Sequence, residues 1–172
     1  MPTVTNYLGY LREAFVVQKV ERYDVKGRRH IGTPSKYYYT DLGLRNAILN
    51  FRQQEETHLM ENAIYNELIF RGYNVDVGVV ETRAMADGKK IRRQLEVDFV
   101  VNRMSERYYI QSAFALPTQE KIDQEQASLI KIQDSFKKII ITGGNSPLWR
   151  NERGITFMGL FDFLLNEDSL SF

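Results

Sequence analysis

The chain has no cysteine. That excludes disulfides, thiol nucleophiles and zinc–thiolate centres, and it leaves the redox compartment open. Histidine is nearly absent too. His30 and His58 are the only two, so a multi-histidine metal site or a serine–histidine triad is poorly supplied. No apolar run approaches the roughly 18 residues of a membrane-spanning helix. No signal peptide is visible either, so a cytoplasmic protein with no membrane contact is expected. Charge of neither sign dominates: the formal net charge is +1 over 172 residues. Contact with nucleic acid would therefore need a local patch, not a global field. There is no G-x-x-x-x-G-K-[ST] loop, which excludes ATP hydrolysis by that route.

What is present suits a folded domain. Hydrophobic residues make up 43% and charged residues 26%, usual for a globular chain. The length suits one domain, or one domain plus a small extension. Val4, Tyr7, Leu8, Leu11 and Phe15 recur at helical spacing. The run from Val16 to Tyr23 is β-branched and predicts a strand. "DVKGRRH" reads as a hairpin tip and "SKYYYT" as the returning strand. A helix followed by a basic hairpin is the back half of a winged helix, whose front half would precede residue 1. Its apolar side, including Tyr7, Leu8 and Leu11, should then be uncovered and seek a partner.

Asp41 or Thr40 can cap a short helix over "LGLRNAIL". Met60, Ile64 and Leu68 mark a longer helix that Gly72 ends. Three strands follow, "NVDVGVVETRA", "IRRQLEVDFVVN" and "RYYIQSAFAL", with a turn signal at 87–90. Thr118 opens a helix carrying Ile122, Leu129 and Ile130, and "KKIIITGG" is a continuously apolar strand, so buried. "GITFMGLFDFLL" adds a last strand and helix. The expectation is an α/β fold with one mixed sheet. It divides into an extension over residues 1–50 and a main domain over 51–172.

From residue 57 the order is αβββαβ. It resembles the core of the restriction-endonuclease-like superfamily. That resemblance implies an acid on the second core strand, then Asp or Glu, any residue, and Lys on the third, often with a glutamate on the first helix. Such carboxylates converge on Mg²⁺, and the lysine positions or activates water. Asp98 matches the first acid and Glu61 the helix glutamate. Gln111 stands where the second acid belongs and Ala113 where the lysine belongs. Strand alternation puts Glu96 and Asp98 on one face, with Leu95, Val97 and Phe99 on the other. Lys121, on the following helix, is a candidate for a displaced ammonium, set against a solvated surface lysine.

The stretches "YLREAFVVQKVERYDVKGRRH", "KYYYTDLGLRNAIL", "ENAIYNELIFRGYNV", "EVDFVV" and "YYIQSAFAL" together resemble the domain of unknown function 4143. That family is commonly found C-terminal to bacterial and archaeal AAA+ ATPases. The resemblance implies an ATPase module upstream or in trans, and an accessory role that is regulatory or nucleic-acid-binding. With two motif positions changed, the nuclease-like site of Glu61, Asp98 and Gln111 is expected to be inactive. No cofactor is then required, though Mg²⁺ at Glu61 and Asp98 would accompany activity. The alternatives are an active Mg²⁺-dependent nuclease, or a protein-interaction module that touches no nucleic acid.

Two basic clusters are candidate phosphate contacts: Lys26, Arg28 and Arg29 with His30 at the hairpin tip, and Lys89, Lys90, Arg92 and Arg93 beside the acid strand. Solvated turns read equally well. Tyr37, Tyr38 and Tyr39 are candidates for base stacking, though aromatic residues in strands more often pack. DNA or another nucleic acid, the ATPase and a second copy of the chain are the expected partners.

Overall fold

A computed structural model describes residues 2–52, 54–86 and 89–171. Its described residues form five helices and one eight-stranded mixed sheet. In chain order these are α1 (Pro2–Glu13), β1 (Val17–Asp24), β2 (Arg29–Tyr39), α2 (Leu42–Ile48), α3 (Glu56–Phe70), β3 (Asn74–Ala86), β4 (Lys89–Arg103) and β5 (Glu106–Ala113). They continue with α4 (Gln119–Ile130), β6 (Lys137–Thr142), β7 (Trp149–Arg150), β8 (Ile155–Gly159) and α5 (Leu160–Leu165). The strand order across the sheet is β2-β1-β3-β4-β5-β6-β8-β7.

Local chemistry explains where the elements stop. The Asp41 side chain accepts the Leu44 amide and caps α2, and Thr118 does the same for Lys121 at the start of α4. Gly72, at φ 78°, turns the chain out of α3 in the left-handed region where a Cβ is penalised. Ile139, Ile140 and Ile141 of β6 are all fully buried, as a central parallel strand covered on both faces requires.

The sheet separates two cores. Ile64 and Leu68 of α3 and Phe163 of α5 pack with Phe99, Val101 and Ile110 on the first face. Leu129 of α4 packs with Val97, Val100, Tyr109 and Ile140 on the second. The N-terminal hairpin belongs to the same sheet, because β1 pairs in parallel with β3, Arg22 opposite Val77. Residues 32–35 bulge out of β2, so that Val20 faces Lys36 while Arg22 faces Ile31. Val4, Tyr7, Leu11 and Phe15 are exposed and Leu8 is half-buried, so the apolar side of α1 is open.

One feature departs from simple alternation. Asp76 pairs with Val100 but Gly78 pairs with Val97, so β4 carries one extra residue. This β-bulge turns Phe99 to the first face, while Val97 and Val100 both face the second. Phe99 therefore lies on the same side as Glu96 and Asp98, not with Leu95 and Val97 as alternation predicts. Gly78 stands opposite the bulge, where a Cβ would come within 2.8 Å of Val100 Cγ2. The turn expected at 87–90 has residues 87 and 88 outside the described residues. The Lys89 and Lys90 backbones pair with β3, but their side chains also lie outside the description.

Candidate functional site

The site forms where α3 crosses the bulge of β4. Asp98 is held there by backbone geometry. Toward this end the pairing of β4 with β5 stops at Phe99 with Ile110. Beyond it the Asp98 carboxylate itself accepts the Ser112 amide at 2.8 Å, and Gln111 Oε1 accepts the Asp98 amide at 3.4 Å. Side chains thus take over where the ladder opens. Glu61 projects from α3 toward the same place, and Glu61, Asp98 and Gln111 line one cleft of about 720 Å³. The second wall of that cleft comes from α4 and includes Lys121 and Glu125.

The centre of the carboxylates is occupied by an ammonium. Lys36 Nζ of β2 lies 2.9 Å from Glu61, 2.7 Å from Glu96 and 3.6 Å from Asp98. Tyr38, two residues on and so on the same face, donates its hydroxyl to Glu61 at 2.6 Å. Its ring stacks on Tyr65 of α3 with centroids 4.3 Å apart. Arg22 of β1 closes the far side, 2.7 Å from Glu96, while its Nε donates to the Pro34 carbonyl in the β2 bulge. Three acids therefore meet two cations, both from the N-terminal hairpin.

Electrostatics follow from that crowding. Burial, with the Glu61 charge added, pushes the Asp98 carboxyl up to about 7, against the opposing pull of Lys36. Burial alone would lower the Lys36 ammonium. Asp98, Glu61 and Glu96 outweigh it, and the lysine stays protonated well above its ordinary range. Burial and then Glu61 raise the Tyr38 hydroxyl strongly, so it remains a neutral donor.

A hard divalent cation does not fit this arrangement. Glu61, Glu96 and Asp98 surround Lys36, but among the described residues no three acids or histidines are placed so that they could hold a metal ion. The Lys36 ammonium stands within ion-pair distance of Glu61, Glu96 and Asp98, and Gln111 contributes no charge. What the arrangement does chemically is lock α3, β2 and β4 together through a partly buried charge cluster.

Lys121 does not supply the ammonium; it pairs with Glu125 at 2.5 Å on its own helix. Lys36 stands two residues before Tyr38 in "SKYYYT" and so shares its face; that this face is the buried one is shown by the structure and has no signal in the sequence. Of the three tyrosines, Tyr38 is buried, Tyr39 half-buried and Tyr37 exposed. The Tyr39 backbone is gripped by Asn62, which accepts its amide and donates to its carbonyl, both at 2.8 Å.

The basic candidates lie outside the acid cluster. Lys26, Arg28 and Arg29 are exposed at the hairpin tip, with Arg29 3.9 Å from Asp24. Arg92 and Arg93 are exposed on β4. His30 contacts Asp76 at 3.1 Å, and His58 contacts Glu55 at 2.5 Å.

The described helices include none long and apolar enough to cross a membrane. The sequence profile of a domain of unknown function, DUF8612, matches residues 1–55. No solved structure matches the chain. An uncharacterized protein of Haemophilus influenzae is 33% identical over 141 residues. The alignment covers 82% of this chain and 32% of that protein, so the chain spans about a third of the length of the curated relative it matches.

Proposed function

We propose that this chain is an accessory domain of an AAA+ ATPase, built on a restriction-endonuclease-like core whose acid site has exchanged a metal ion for an internal lysine. The observation that carries this reading is Lys36, centred on Glu61, Glu96 and Asp98. The run α3–β3–β4–β5–α4–β6 has the αβββαβ order of that core, and α1 with the β1–β2 hairpin serves as a partial winged helix. The extra length of the Haemophilus relative is room for a further module, which in this reading is the ATPase. The accessory role is structural: the fold presents surfaces to the ATPase or to nucleic acid, and the polar cluster stiffens them.

The test is cleavage of single- and double-stranded DNA and RNA with Mg²⁺ or Mn²⁺, comparing the natural chain with Asp98→Ala. No cutting by either, and no rise in melting temperature on adding metal, is expected. Metal-dependent cutting that disappears in Asp98→Ala would refute the reading and restore the nuclease.

A further inference from the structure

The second face of the sheet carries a trough of about 720 Å³, within the roughly 300–1,000 Å³ of small-ligand sites. Its walls come from the tip of the β1–β2 hairpin, the outer part of β3, the β4–β5 turn and the segment after α4. Lys26, Arg28, Arg83, Arg107 and Lys131 line it, against Glu81, Glu106 and Asp134. Two of those acids are engaged elsewhere. Asp134 accepts the Tyr109 hydroxyl at 2.5 Å, and Glu106 lies 3.5 Å from Arg103. Among the described residues Lys26, Arg28, Arg83 and Lys131 form no ion pair.

The fifth cation is already oriented. Arg107 Nε donates to Asn102 at 2.7 Å, and the guanidinium lies 5.4 Å from the Tyr23 ring and 5.6 Å from the Phe136 ring. Phe136 remains 40% exposed beside it. Unengaged cations around a wall of flat π-surfaces match a chain of phosphates carrying planar rings. A duplex keeps its rings stacked inward and presents none to Phe136. A peptide that supplies only Asp and Glu carboxylates brings no rings to that wall.

We propose that this trough binds single-stranded nucleic acid. The phosphates run past Lys26, Arg28, Arg83 and Lys131, and unpaired bases stack on Phe136 and the Arg107 plane. The site is on the face of the sheet away from the acid cluster, so it deepens the accessory reading without using its chemistry. It fails if no binding is measured in EDTA, whereas that reading fails by cleavage in metal.

The experiment is fluorescence anisotropy of a labelled oligothymidylate of about 15 nucleotides with the full chain, in EDTA. Three to four phosphate contacts on a single strand predict a loss of about 20- to 50-fold in affinity between about 50 and 200 mM salt. Arg83→Ala with Lys131→Ala should flatten the log–log salt slope by about 1.4. Phe136→Ala should cost about tenfold or more, and Arg153→Ala, on an exposed turn elsewhere, should change nothing. Absence of binding at low salt would overturn the proposal. So would equal affinity for a duplex, displacement by a polyglutamate as effective as by unlabelled oligothymidylate, or equal losses in the trough and Arg153 variants.

Discussion

Replacing Lys36 by methionine keeps most of the side-chain volume and removes the charge. Glu61, Glu96 and Asp98 then face each other with only Arg22 in reach of Glu96. Removing one partner from a buried charge cluster costs about 3–5 kcal/mol. Glu96 is a third exposed and keeps Arg22, so the low end, about 3 kcal/mol, is the expectation near pH 8. For a domain of this size that is a fall of roughly 6–12 °C in Tm. The loss depends on pH in a stated direction. Without the ammonium, the Asp98 carboxyl, already raised by burial and the Glu61 charge, loses the pull that lowers it and holds its proton more tightly still in the folded chain than in the unfolded one. Such a group costs stability as pH rises from the unfolded carboxylate range, about 4, through the folded value. Asp98 already sits at about 7 in the natural chain. The deficit of Lys36→Met should therefore shrink near pH 5 and be fully developed near pH 8. Urea denaturation of both proteins at the two pH values measures it. A variant as stable as the natural chain near pH 8, or a deficit that grows on acidification, would refute the lysine-for-cation argument.

Gly78→Ala places a methyl against Val100 and Val97 at the bulge and should destabilise by about 1–3 kcal/mol, read from the urea midpoint at unchanged m-value. Asn62→Ala removes both hydrogen bonds to the Tyr39 backbone and should cost about 2 kcal/mol. Hydrogen exchange at the Tyr39 amide should accelerate in that variant more than exchange in β6, and equal acceleration would count against a local role.

The elements were largely legible, because their signals are local. Thr118, Gly72 and the apolar run of β6 each mark a boundary or a burial without knowledge of the rest of the chain. Glu61, Asp98 and Gln111, singled out in the sequence, all line one cleft. What was missed is non-local. The extra residue in β4 is defined only by its pairing with β3, so alternation misplaced Phe99. The cation was sought on α4, the helix next in sequence, at Lys121. It comes from β2, because β1 pairs with β3 across about 50 intervening residues and carries the hairpin to the acids. The parallel joint itself leaves no trace in composition or period.

That joint ties a local unit to a distant one. α3, β3 and β4 are contiguous from residue 56 to 103, so their mutual contacts close shorter loops than the β1–β3 pairing does. Glu61, Glu96 and Asp98 all belong to that contiguous part, while Lys36 and Arg22 belong to the hairpin. Docking of the hairpin neutralises the acids and extends the sheet together. A hairpin paired in another register would leave the acids without Lys36 and Arg22. An acid cluster whose counter-ion is part of its own chain becomes a latch that closes only on the completed fold.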